Sequence, residues 1–147
     1  MLDFLARLEP AGPSDLARAM REFSLRTTGK GIVVVLSDFM DKAGYEDALR
    51  YLVARQMDVY AIQILSQEEV DPDLSGDLKL VDVEDSDAAE VTIHLPLLRR
   101  YKENLVSYQA ELQAFCTRRG ISCLLTSTDV PFDKVVLSYL LRRGLLR

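Results

Sequence analysis

Apolar positions recur along this chain with two different periods, and the switches between them mark its elements. In "SDLARAMREFSL" (14–25), Leu16, Ala19, Met20 and Phe23 fall on one helix face, and Ser14 stands where an N-cap is wanted. "TTGKG" (27–31) interrupts that helix. Then comes "IVVVLS" (32–37), a continuous β-branched run. A strand without alternation fits one covered on both faces, as in a parallel sheet. The helical period returns in "GYEDALRYLVARQ" (44–56), with Tyr45, Ala48, Leu49, Leu52 and Val53 on one side. "DVYAIQIL" (58–65) is a second strand. A helix between two strands makes a crossover, so the pair is expected to be parallel and right-handed.

Beyond residue 65 the rhythm changes. "QEEVDPDLSGD" (67–77) reads as a polar loop. "LKLVDV" (78–83) and "EVTIHL" (90–95) alternate like half-exposed strands, which predicts an antiparallel hairpin inserted at about 77–95. Residues 96–119 form a long helix, with Pro96 in its first turn and Gly120 after its end. Tyr101, Leu105, Tyr108, Leu112 and Phe115 make one core-facing stripe along it. "ISCLLTS" (121–127) is a third buried strand and "PFDKVVLSYLLRR" (131–143) a last helix. The prediction is a single α/β domain over 1–147, a small Rossmann-like parallel sheet with an inserted hairpin. Nothing before residue 32 reads as a strand, so the most apolar strand is left near an open edge. Such an edge invites pairing with another chain, and a homodimer is expected.

Composition narrows the picture. With 147 residues, 48% hydrophobic and 28% charged, the chain can bury one core. A net charge of −5 argues against a nucleic-acid partner. No apolar run is long enough to span a membrane, and the N-terminus lacks the basic start and apolar stretch of a signal peptide. A cytoplasmic location is the expectation. Cys116 and Cys123 form no C-x-x-C and read as reduced core thiols.

Asp38 is the first candidate for chemistry, because ligands of open α/β sheets bind beyond the C-terminal ends of the strands. A carboxylate there, with the hydroxyl of Ser14 near it, suits a hard cation such as Mg²⁺. The alternative reading is that Asp38 closes the following turn on loop amides. "DPDLSGDLKLVD" (71–82) imitates the offsets of a calcium loop, but no helices flank it and its second half reads as strand. The acidic run 84–87 is a solvated hairpin tip. His94, the one histidine, has neither a cysteine nor a nucleophile-elbow serine near it in sequence and is read as structural. "TTGKG" precedes a strand, the wrong order for a phosphate loop.

Residues 31–65 resemble the later part of a von Willebrand A-like domain. Over nearly its whole length the chain is similar to the C-terminal region of the bacterial domain-of-unknown-function fifty-eight family. The marks are "LSDFMD" (36–41), "GYEDALRYL" (44–52), "ILSQEEVDPDLSGDLKLVD" (64–82), "LLRRYKENL" (97–105) and "FCTRRGISCLLTSTDVPFDKVVLSYLLRRGLLR" (115–147). The resemblance implies a doubly wound von Willebrand A-like sheet and a metal-ion-dependent adhesion site at its strand ends. "GPSDL" (12–16) stands at the threonine turn of that site, so Ser14 replaces the threonine, and "LSDF" (36–39) supplies its last aspartate, Asp38. The Asp-x-Ser-x-Ser segment is absent, so the N-terminal strands of the fold are missing and the site is an incomplete remnant, with Mg²⁺ a ligand of the intact domain. The resemblance further implies a non-enzymatic interaction module, accessory to a MoxR-type AAA+ ATPase or to other von Willebrand A proteins. One rival is a Mg²⁺-dependent hydrolase using Asp38 and Asp41, with Thr126, Ser127, Thr128 and Asp129 as the further polar groups near the strand ends. Another is a structural fragment without activity of its own.

Overall fold

In chain order the elements are α1 (Leu2–Leu5), α2 (Leu16–Arg26), β1 (Ile32–Ser37), α3 (Glu46–Ala54), β2 (Asp58–Leu65), α4 (Gln67–Val70), β3 (Gly76–Val81), β4 (Ala88–Ile93), α5 (Leu95–Arg118), β5 (Ser122–Ser127) and α6 (Phe132–Val135). They belong to a computed structural model that describes residues 2–9, 14–74, 76–81, 88–135 and 137. The hairpin tip at 82–87 and the remainder of the last predicted helix lie outside the described residues.

The main sheet is parallel, in the order β1-β2-β5, with Ile32 opposite Asp58 and Ala61 opposite Cys123. Helices flank it, which makes the fold the Rossmann-like α/β arrangement expected from the crossover pattern. The inserted hairpin is present as a separate antiparallel pair, β3 with β4, Leu78 facing Val91.

One face of the main sheet carries the core. The two-residue strand period places Val33 and Val35, Val59 and Ala61, and Cys123 and Leu125 on the same side. Leu49 and Leu52 of α3 and Leu112, Phe115 and Cys116 of α5 close over them, with Leu16 and Met20 of α2 at the margin. Leu49, Leu52 and Leu112 are wholly buried. Each contributes roughly 1.5–3 kcal/mol relative to leaving it in water. The stripe predicted on the long helix packs at Leu105, Leu112 and Phe115, which are buried, and at half-buried Tyr108, but its first member, Tyr101, is exposed. Among the described residues no helix is long and apolar enough to cross a membrane.

Three expectations are corrected. β1 is not covered on both faces: Val35 is 5% exposed, but Ile32, Val34 and Leu36 are 56%, 43% and 63% exposed. An unbroken apolar run reports strand propensity, while its place at the sheet edge decides what water sees. The cap of α2 is Asp15 rather than Ser14; its carboxylate accepts from the Arg18 amide at 2.8 Å. Either residue suits an N-cap, and the carboxylate adds a charge that the helix dipole favours. Finally, 67–77 is not all loop. Ser66 and Glu69 form a capping box, Oγ accepting from the Glu69 amide at 3.2 Å and Oε2 from the Ser66 amide at 2.6 Å, and this starts α4.

Candidate functional site

At the C-terminal end of β1 the chain turns through Asp38, Phe39, Met40 and Asp41. Phe39 holds φ at 60°, a left-handed conformation that costs a residue with a Cβ about 1–2 kcal/mol. Its surroundings repay that cost. The Phe39 ring is wholly buried and stands edge-on to Tyr45, centroids 6.3 Å apart. The Tyr108 hydroxyl of α5 donates to the Phe39 carbonyl. Gln63 Nε2, from the middle strand, donates to the Asp38 carbonyl at 2.7 Å.

The carboxylates of this loop serve the backbone. Asp38 Oδ1 accepts from the Met40 amide at 2.9 Å, and Ser37 Oγ accepts from the Phe39 amide at 2.9 Å. Asp41 Oδ1 accepts from the Ala43 amide at 2.7 Å, closing the turn into α3. Its other oxygen accepts from the Leu16 amide at 2.9 Å, which ties the start of α2 to the end of β1. From the sequence Asp41 enters only as a carboxylate of the rival hydrolase reading; the link to Leu16 spans 25 residues and leaves no local signature.

α5 braces this end of the sheet. Tyr101 donates its hydroxyl to the Glu69 carbonyl at 2.7 Å, and Lys102 pairs with Asp71, so α4 is held as well as the β1 loop. Tyr45 stacks edge-on against Tyr108 and Phe115, at 5.7 and 5.5 Å, and the Arg119 guanidinium lies 3.7 Å from the Phe115 centroid. Burial pushes the Tyr108 phenol up to about 12, and Tyr45, Glu46, Asp38 and Asp41 push in the same direction. Between the loop and α5 lies an open recess of about 310 Å³, lined by Met40, Asp41, Tyr101, Asn104, Leu105 and Tyr108. It sits at the C-terminal end of a parallel strand, where open α/β sheets bind their ligands.

Gln63 was not singled out from the sequence, although a polar residue inside "DVYAIQIL" is the available signal. It is wholly buried, and its Oε1 has no hydrogen-bond partner among the described residues. His94 is structural as expected: Nδ1 accepts from the Leu97 amide at 3.1 Å and caps α5. Cys116 and Cys123 are buried thiols not joined in a disulfide, and the hydrogen bond between them, together with burial, pushes the Cys116 thiol up. Within the imitation calcium loop, Asp71 pairs with Lys102 and β3 begins at Gly76, while Ser75 and Asp82 lie outside the described residues.

Ser14 is exposed and directly precedes the α2 cap, and Asp38 is exposed at the strand end. The start of α2 is tied to this loop through Asp41. Among the described residues no three His, Cys, Asp or Glu side chains are grouped as a metal site. Ser127 ends β5, two strand positions from β1, which is about 10 Å at ordinary strand spacing. Its hydroxyl accepts from the Asp129 amide at 3.4 Å and the Thr128 amide donates to the Leu65 carbonyl at 2.9 Å, so this group builds its own turn instead of converging on Asp38.

The family described as "Protein of unknown function DUF58" matches residues 1–112. An uncharacterized protein of Mycobacterium avium, MAV169, is 28% identical over 116 residues, 78% of this chain and 68% of the relative. No solved structure matches at the same stringency.

Proposed function

The chain belongs to the DUF58 family, and from that premise we propose that it is a non-enzymatic protein-interaction module accessory to a MoxR-type AAA+ ATPase. The observation that carries the reading is how the strand-end carboxylates are used. Asp38 and Asp41 accept backbone amides of their own chain and so shape the recess beside Met40, Tyr101 and Tyr108. Asp41 engages both of its oxygens with backbone amides and Asp38 one, so their main work is to hold the loop. The recess is lined mainly by apolar and aromatic residues, with Asp41 and Asn104 as its polar members, a composition that anchors a protein side chain. In this reading Ser14 and Asp38 are the remnant of a metal-ion-dependent adhesion site, kept for its loop geometry.

The test is calorimetric titration of the chain with the MoxR-type ATPase of the same genome. Saturable binding is expected, weakened at least tenfold by Asn104→Arg, which fills the recess with bulk and charge. Absence of binding by the folded wild-type chain would overturn the assignment. So would Mg²⁺-dependent phosphomonoester hydrolysis that Asp38→Asn abolishes.

A further inference from the structure

On the interaction-module reading, on which this rests, we infer that the recess between the β1 loop and α5 receives an arginine side chain of a partner protein. Its walls come first. Tyr101, Asn104, Leu105 and Tyr108 stand at i, i+3, i+4 and i+7 of α5, one face of a helix, and Met40 and Asp41 close the other side. Each tyrosine is fixed at two ends, by the helix backbone and by its hydroxyl. Tyr101 donates to the Glu69 carbonyl and Tyr108 to the Phe39 carbonyl. The recess is therefore formed before anything enters it, and filling it need order neither ring. At about 310 Å³ it has the size for one long side chain.

The hydrogen-bonding capacity that remains there is mostly that of an acceptor. Both hydroxyl protons are committed inside the chain, so the tyrosines keep lone pairs and ring faces for a ligand. Asp41 accepts one amide on each oxygen, which leaves each a further lone pair. Among the described lining side chains, Asn104 alone still offers N–H donors. An apolar occupant would strip water from the half-buried Asp41 carboxylate and put nothing in its place. A guanidinium replaces that water. Its planar fork carries donors to the carboxylate, its stem lies along Met40 and Leu105, and its flat face stacks on tyrosine.

The charge around the recess has the matching sign. Burial does most to push the Tyr108 phenol up, and Tyr45, Glu46, Asp38 and Asp41 add to it, so three carboxylates act on this one hydroxyl. Two cations of the adjoining helices are already paired, Lys102 with Asp71 and Arg50 with Asp47. The chain as a whole carries a net charge of −5, which steers a basic segment toward it. α5 makes the same kind of contact within the chain two turns further on, where the Arg119 guanidinium lies 3.7 Å from the Phe115 centroid. A lysine meets the same charge but has no flat face to stack, so arginine is the better occupant.

The test is an NMR titration of the ¹⁵N-labelled full chain with the blocked pentapeptide Gly-Ser-Arg-Ser-Gly, and with the same peptide carrying citrulline, leucine or glutamate in place of arginine. Citrulline keeps the shape and the planar head without the charge. The arginine peptide is expected to shift the amides of Met40 and Asp41 and the side-chain amide of Asn104, with an affinity at least tenfold above the other three. Asn104 is exposed, and the same spectra check the folding of its variants. Asn104→Glu should tighten the arginine peptide several-fold and Asn104→Lys should abolish its binding. A pocket built for an apolar anchor would behave otherwise: the leucine peptide would bind best, and both substitutions would weaken it. That outcome would overturn the proposal. So would equal binding of the citrulline and arginine peptides, or no shift at these residues with the arginine peptide at tens of millimolar. No ATPase is present, so such a failure strikes the arginine pocket and leaves the module reading to its own calorimetry. Arginine-specific binding by a chain that ignores the ATPase would keep the pocket and remove that partner.

Discussion

The Tyr108 hydroxyl on α5 donates to the main-chain carbonyl of Phe39, 69 residues earlier, at the turn that ends β1. Helix and loop are thereby coupled at a point where an aromatic residue takes a left-handed conformation. Tyr108→Phe keeps the ring in place between Tyr45 and the recess but leaves the carbonyl without this donor. The expected loss is about 1–2 kcal/mol, read as a lower urea midpoint with an unchanged slope. The pH dependence has a definite sign. Burial favours the neutral phenol, so its folded pKa of about 12 lies above the unfolded value near 10. Its contribution is complete below about pH 10 and is lost as pH rises from there toward 12. Tyr101 and Tyr45 are shifted upward too, so Tyr108→Phe should flatten the alkaline fall in stability without abolishing it.

The sequence discloses whatever is local. Hydrophobic periods located β1, β2, β5 and α5, because each period follows from which side of one element meets the core. Gly120 disclosed the end of α5 because a left-handed residue after a helix favours glycine. The site was less visible. Asp38 was found because it follows an apolar strand, but its bond to the Met40 amide depends on the path of the loop. Tyr108 to Phe39 and Leu16 to Asp41 join residues that only the folded chain brings together. The exposure of Ile32, Val34 and Leu36 was hidden for a different reason. An apolar run reads the same in the sequence whether its strand lies in the middle of a sheet or at its edge.

The same helix ending occurs twice, once with the wrong residue. After α5, the Gly120 amide donates to the Thr117 carbonyl at 3.3 Å and the Ile121 amide to the Cys116 carbonyl at 3.0 Å, with Gly120 at φ 69°. After α3, the Gln56 amide donates to the Val53 carbonyl at 2.9 Å and the Met57 amide to the Leu52 carbonyl at 3.4 Å, with Gln56 at φ 56°. Both are Schellman endings, and the second strains a residue with a Cβ. Gln56 is exposed, so its side chain offsets little of this. Gln56→Gly should stabilise the chain by about 0.5–1 kcal/mol, a rise of a few degrees in calorimetric Tm.

Cys116 and Cys123 share a hydrogen bond inside the core, 0% and 8% exposed. Nucleophilic attack needs the thiolate, and burial disfavours it. Ellman's reagent should therefore find almost no reactive thiol in the native chain at neutral pH and both in urea. The rate between these limits should follow the fraction unfolded. Fast labelling of either cysteine under native conditions would contradict the packing of α5 on β5.

Asp38 offers a last prediction, because its two readings respond differently to the same pair of substitutions. As a turn residue it needs one oxygen to accept from the Met40 amide. Asparagine supplies that oxygen, so Asp38→Asn should change stability by less than about 0.5 kcal/mol, whereas Asp38→Ala should cost about 1 kcal/mol. As the ligand of a working magnesium site, the charge itself would matter and asparagine would fail like alanine. Mg²⁺ favours near-octahedral oxygen coordination, and Ser14 with Asp38 provides two side chains toward it. Calorimetry on the wild-type chain should accordingly give a dissociation constant of roughly millimolar or weaker. Stability in Asp38→Asn should be the same with and without the ion. Micromolar Mg²⁺ affinity, abolished by Asp38→Asn, would transfer the loop from a scaffold to a metal centre.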